Sequence, residues 1–187
     1  LLALAAFALV TSVTPGPNNI MLLTSGVNFG FRRTIPHAFG VTIGFTLMIL
    51  IVGLGVGQIL TADPRVFLAL KVISILYMLW LAWKIAHSGP VDGSDGANSG
   101  VPMTFLQAAA FQWVNPKAWA IALVGTANYT IAGNYMWSLV VICLAFLAIN
   151  LPSISLWVGS GVAMRRLLQD PVKVRVFNWA MAAVLVG

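Results

Sequence analysis

Apolar residues run along this chain in stretches too long and too continuous for a water-soluble fold. Six stretches reach or approach the roughly 20 residues a helix needs to cross the hydrocarbon of a bilayer. They lie at residues 1–26, 36–60, 65–86, 104–126, 134–159 and from 171 onward. Polar positions inside them do not alternate every second residue, so a transmembrane β-barrel, with its apolar-out, polar-in strands, is excluded. The pattern predicts an all-α polytopic membrane protein of six transmembrane helices.

Two of the stretches are interrupted at membrane depth. The first carries Thr14-Pro15-Gly16-Pro17-Asn18-Asn19 and the fourth carries Asn115-Pro116-Lys117. Proline lacks the backbone donor and clashes with the preceding turn, so neither element continues a helix. Broken backbone inside a bilayer persists only where protein or a water-filled cavity covers it. Helices 1 and 4 are therefore expected to be broken. The fifth stretch is expected to be interrupted as well, at Asn150 and Pro152.

The chain also looks doubled. Pro17 and Pro116 are separated by as many positions as Gly26 and Gly125, and Asp63-Pro64 and Asp170-Pro171 open the third and sixth stretches. Between the halves lies a Gly/Ser/Asp-rich segment, His87-Ser88-Gly89-Pro90 through Asn98-Ser99-Gly100, of flexible-linker composition. The expected organisation is one transmembrane transporter domain over residues 1–187, with a first repeat at about 1–86, a linker at about 87–103 and a second repeat at about 104–187. Three helices per half force the halves into opposite orientations, the inverted-repeat plan of many secondary transporters. In such folds, paired Gly/Pro-interrupted helices point to the substrate site.

Composition and charge sharpen this picture. Of the 187 residues 60% are apolar and 7% charged, against roughly 25% charged in soluble domains. The net charge of +6 is no nucleic-acid footprint, because the basic residues gather at segment ends. Arg32 and Arg33 mark the first loop, Lys84 the third, and Arg165, Arg166, Lys173 and Arg175 the fifth; the second offers only Arg65 and the fourth none. By the positive-inside rule loops 1, 3 and 5 are cytoplasmic and both termini face outward. Leu1 to Val10 lacks a basic leader and reads as the first membrane helix rather than a signal peptide. Gly159-Ser160-Gly161 has no later histidine to activate its serine, and Cys143 is alone, so neither an enzyme nor a metal centre is expected.

Half-helix ends carry the candidate chemistry. An N-terminal end offers free amides and partial positive charge to an anion. Asn18, Asn19 and Asn115 donate and accept, to cap the breaks or to hold a polar ligand. Lys117, inside the fourth stretch, needs a partner or a wet cavity unless its stem snorkels to an interface. Lys71, one or two turns into the third helix, is expected to snorkel. His37 is either a polar anchor or a proton carrier, and Asp63 is the other candidate for proton coupling. The chain has no glutamate, and its four aspartates sit in loops or at helix starts. A zwitterion or anion therefore suits the site better than a metal ion or a cationic side chain. A metal-ion exporter and a non-transporting membrane subunit are the competing readings. Glycines four apart (Gly26 and Gly30, Gly40 and Gly44, Gly53 and Gly57) allow close helix contact, within the chain or across a homodimer.

Thr14-Pro15-Gly16-Pro17-Asn18-Asn19, Gly30-Phe31-Arg32, Gly40 with Gly44, Leu70-Lys71 with Tyr77, Trp83-Lys84 and Asn115-Pro116-Lys117, in this order, resemble the lysine exporter superfamily, its homoserine/threonine-exporter branch above all. The resemblance covers essentially the whole chain. It implies a multi-pass exporter of amino acids or their derivatives in the bacterial inner membrane, driven by protons, without a cofactor, and slightly longer at both ends than the sequence here. Its motif positions fall on Pro15, Gly16, Pro17, Asn18, Lys71, Tyr77, Asn115, Pro116 and Lys117. Ser74 departs from the family's usual glycine. The scarcity of buried acid favours a neutral amino acid over lysine or arginine.

Overall fold

The computed structural model describes residues 1–62, 64–88, 101–168 and 170–186; Asp63 and linker residues 89–100 lie outside the described residues. The described residues form helices and connecting turns, with no strand. In chain order these are α1 (Leu2–Val13), α2 (Pro17–Ile51), α3 (Gly57–Ala62), α4 (Pro64–Ala86), α5 (Phe105–Phe111), α6 (Pro116–Tyr129), α7 (Tyr135–Leu167) and α8 (Pro171–Val186). Among the described residues, three helical stretches are long and apolar enough to cross a membrane, Pro17–Val56, Leu68–Ala86 and Ala132–Arg165, and Leu2–Val13 is a shorter apolar helix.

The expected breaks in helices 1 and 4 are present. Thr14 to Gly16 separate α1 from α2, and Asn115 separates the 3-10 turn Gln112–Val114 from α6. The first loop is tighter than the sequence suggests. Helix α2 is two helices joined at Gly30, whose φ of 78° is open to glycine but strained for other residues. Ser25 and Thr34 join hydroxyls at 2.8 Å across this turn, whereas nine residues of straight helix would set them about 13 Å apart. The chain thus reverses on one residue, and the second segment starts at Phe31 rather than 36. It passes through a π-type turn at Val52–Val56, where Gly55 has φ 119°, before α3.

The fifth segment is a correction. It was expected to be interrupted at Asn150 and Pro152 and to end near 159, but α7 runs unbroken to Leu167. Two serines just after the proline bond back to the preceding turn, Ser153 Oγ to the Ile149 carbonyl and Ser155 Oγ to the Leu151 carbonyl, both at 2.7 Å. Pro152 takes one donor from the helix ladder, at the Ala148 carbonyl, and the helix continues past it.

Packing exchanges elements between the two halves. Helix α1 lies on α7, α5 lies on α2, and α4 pairs with α8. The main apolar core joins Phe45, Met48 and Ile49 of α2 to Leu139, Ile142 and Phe146 of α7, with Trp119 of α6. Phe146 meets Phe45 and Phe7 edge-on, at 5.4 and 6.0 Å between centroids. The spaced glycines are used inside the chain. A Cβ on Gly40 would overlap the Phe105 carbonyl, one on Gly44 would lie 2.5 Å from Ala109 Cα, and Gly53 faces Leu139. Gly26 and Gly161 meet backbone to backbone where α2 crosses α7. These glycines set close helix contacts within the chain.

Candidate functional site

Each break is built by its own local chemistry. Thr14 leaves the helix in an extended conformation, still donating its N–H to the Val10 carbonyl, and Pro17 opens the next helix at a position that needs no donor. Asn19 is 4% exposed and turns back, its Nδ2 donating to the Ser12 and Thr14 carbonyls at 2.8 Å. It thereby caps the carboxyl end of α1, whose carbonyls would otherwise be orphaned. At the second break Asn115 is extended, and its Oδ1 accepts from the Lys117 N–H at 3.1 Å, an N-cap for α6 with Pro116 in the first turn.

The tertiary fold then ties the two breaks together. Asn18 Nδ2 donates to Gln112 Oε1 at 2.8 Å, and Gln112 Nε2 donates back to Asn18 Oδ1 at 3.1 Å. This closed pair of amides bridges the opening turn of α2 and the 3-10 turn before Asn115. The Lys117 ammonium reaches across in the other direction and donates to the Thr14 carbonyl at 2.7 Å, the Thr14 hydroxyl at 2.9 Å and the Pro15 carbonyl at 3.2 Å. A cation at the carbonyl end of a half-helix is the favourable arrangement. Among the described residues the lysine pairs with no acid and rests on uncharged oxygens. Gly16 makes room for it, since a Cβ there would sit 2.6 Å from Lys117 Cδ.

A cavity of about 30 Å³ lies between these groups, lined by Thr11, Ser12, Gly16, Asn18, Asn19, Asn115, Lys117 and Asn150, with Phe45, Ala118, Ile121 and Ile154 as its apolar side. That volume holds only a water or two. Its polar wall presents amide, hydroxyl and carbonyl groups and one ammonium, with no carboxylate among the described lining residues. Pro15 stands at the edge, contributing its carbonyl to Lys117.

Not every motif position comes here. Pro17 and Pro116 line a separate groove of about 640 Å³ that also takes in exposed Lys71, buried Ser74, Met78 and Trp119. Tyr77 stacks between Trp80 and Phe111, with centroids at 5.2 and 5.5 Å. His37 is 1% exposed, so it is no interfacial anchor, and it lines another cavity altogether. Asp63 is outside the described residues.

Gln112, Ser12, Thr11 and Asn150 escaped the sequence reasoning as site residues. Asn150 connects α7 to both sides, accepting from Thr42 Oγ1 at 3.2 Å and donating to Ser12 Oγ at 3.3 Å. The signal for Gln112 was present: an amide in an apolar run, three positions before Asn115. Asn18→Leu should destabilise the protein by about 1–3 kcal/mol, because it strands the buried Gln112 amide, and Gln112→Leu by less, because Asn18 is only half-buried. The double variant should lose less than the two added, by a coupling of about 0.5–3 kcal/mol. Thermal unfolding in detergent micelles reads this directly, and strictly additive losses would break the pairing.

The family profile described as LysE type translocator matches residues 9–187, which includes both breaks. The chain belongs to this family. Among its relatives, a cysteine/O-acetylserine efflux protein of Klebsiella pneumoniae subsp. pneumoniae is 32% identical over 186 residues, 98% of this chain and 92% of that protein. Proteins of the same description from Salmonella choleraesuis and Escherichia coli O1:K1 are 34% and 35% identical over 111 residues, 59% of this chain and 55% of theirs. No solved structure matches. The family is one of translocators and not of enzymes.

Proposed function

We propose that the chain is a secondary transporter of the bacterial inner membrane that exports small neutral amino acids or their derivatives, with the substrate held between the two helix breaks. The observation that carries this is the Lys117 ammonium, seated at the break on neutral oxygens, with Asn18, Gln112 and Asn115 around it. A substrate carboxylate would be a stronger partner for that cation than a carbonyl. The hydroxyl and amide oxygens of Ser12, Asn18 and Asn150 would accept from its ammonium. The described lining residues hold no acid to select a cationic side chain. The efflux activity of the relatives on cysteine and O-acetylserine fits the same small zwitterions.

The export cycle in this proposal uses six spans in two inverted repeats, at about 1–86 and 104–187, with loops 1, 3 and 5 cytoplasmic and the termini outward. The exchange of α1 onto α7 and α5 onto α2 supports the inverted plan, because each broken helix leans on the second span of the other half. Protons supply the driving force, with His37 or Asp63 as the carrier. Lys71 and Tyr77 act from the neighbouring groove and the α4–α5 contact rather than inside the cavity.

An efflux screen tests the proposal. Cells overproducing the protein and loaded with a panel of amino acids should retain less of at least one small neutral member, O-acetylserine, cysteine, homoserine or threonine, and unchanged lysine and arginine. Unchanged retention across the whole panel would sink it.

A further inference from the structure

Among the described residues, three buried side-chain atoms have no hydrogen-bond partner: Thr24 Oγ1 and both ring nitrogens of His37. All three belong to residues that line one cavity of about 50 Å³, at the far end of the first half of α2 from the breaks. Buried polar groups without partners are rare in folded proteins and point to water or a ligand. Their clustering in one place makes a built polar site. Ser25 and Asn28 of α2 line it too, with Lys84 of α4 as its one formal charge among the described lining residues.

Polar side chains in a membrane helix are often only glue between helices. Some here are glue: Ser25 bonds Thr34, and Asn28 pairs with Asn178, whose Nδ2 also donates to the Ser88 carbonyl at 2.6 Å. His37 and Thr24 are not explained in this way. The placement of the chamber adds a second observation. Asn18, Met21, Ser25 and Asn28 follow one another at helical spacing, so they share one face of α2. That face begins at the break site and ends in the chamber, and Met21 is the apolar residue between them. Met21 is 3% exposed and packs with Met78, Leu81 and Phe111. Methionine is the most easily repacked of the apolar side chains. The other end of the chamber is bounded by Ser88 and by Val101 and Pro102, on the side of the molecule where Lys84 lies.

We propose that this chamber is a hydrated inner binding site on the export route, which receives the amino-acid zwitterion from the cytoplasm and is closed off from the break site by Met21. The proposal rests on the export reading above. In the closed state its volume suits a few waters. When Met78 and Phe111 release Met21, the carboxylate meets Lys84 while His37 and Thr24 supply a donor and acceptors to the rest of the headgroup.

Cysteine accessibility tests it on the full chain, starting from Cys143→Ser, which removes the sole cysteine. Thr24→Cys and, separately, Ser25→Cys are placed in membrane vesicles of known sidedness and exposed to a charged, impermeant thiol reagent. The expected result is labelling from the cytoplasmic face and not from the outer face, slowed by O-acetylserine, serine or threonine added on the inside. Met21→Ala should then let the same reagent reach Ser12→Cys from the cytoplasmic face, where Met21→Leu does not. Two independent cysteine positions guard against a variant that fails to fold, and monodisperse elution shows that each folds. Absence of labelling at both positions, labelling from outside only, or labelling that none of the three amino acids slows overturns the proposal; so does a Ser12→Cys that stays unreactive after Met21→Ala. An efflux screen that fails while protection persists would sink the export reading and leave the chamber standing.

Discussion

Lys117→Ala should sharply weaken efflux at low substrate while leaving a folded, membrane-inserted protein. The ammonium makes three contacts with the opposite break, to the Thr14 carbonyl and hydroxyl and the Pro15 carbonyl. If it also anchors the substrate carboxylate, its loss removes a hydrogen bond to a charged group worth about 1.5–3 kcal/mol. That is about a ten- to hundredfold loss in apparent affinity. Lys117→Arg should not restore transport, because the lysine stem passes so close to Gly16 that the planar, broader guanidinium has no equivalent path. Gly16→Ala should copy part of the defect from the other side. Its new Cβ would meet the flexible Lys117 stem, not backbone, so the protein folds but the ammonium is pushed off its oxygens. Efflux of the substrate named by the screen, at several concentrations, measures all three. Full activity of Lys117→Ala would remove the lysine from the site.

The largest effect on stability is expected at the crossing of α2 and α7. A Cβ on Gly161 would overlap the Leu23 carbonyl and lie 3.1 Å from Gly26 Cα, and one on Gly26 would overlap the Val158 carbonyl. Backbone atoms cannot swing aside as a side chain can, so relief requires the helices to part. Gly161→Ala should therefore cost about 3 kcal/mol, the upper end of ordinary overpacking, and lower the melting temperature by roughly 6–12 °C. Gly159 supplies the control two residues away. Nothing lies within 4 Å of its added Cβ, so Gly159→Ala should be neutral or stabilise by up to about 1 kcal/mol through helix propensity. Thermal unfolding in one detergent compares the pair. Equal melting temperatures for the two variants would contradict the close crossing.

Long apolar runs and the prolines at two breaks already determined much of this protein. A run of some 20 apolar residues has few stable fates other than a membrane helix, and proline at membrane depth dictates a break wherever the chain folds around it. The breaks at Thr14–Gly16 and Asn115 follow from composition alone, and so do the caps that Asn19 and Asn115 supply, because those bonds span only a few residues. Pro152 shows the limit of that logic. A single proline can be absorbed into a continuous helix, and only the surrounding structure decides that it is.

What the tertiary structure decided is which distant groups meet. The helices are apolar around most of their circumference, so the pattern of residues does not say which face turns inward. Hence the pattern does not reveal that Gln112 pairs with Asn18, that His37 is buried and lines one cavity with Thr24, or that Lys71 lines a groove apart from the breaks while Tyr77 packs against Phe111. The pattern predicts a loop between the first two segments, whereas the single residue Gly30 makes the reversal. Lys117 was recognisable as a charge in need of a partner. That its partners are the carbonyl end of α1, in the other half of the chain, is a consequence of packing alone, because only helices brought side by side put residues so distant in sequence within 3 Å of each other.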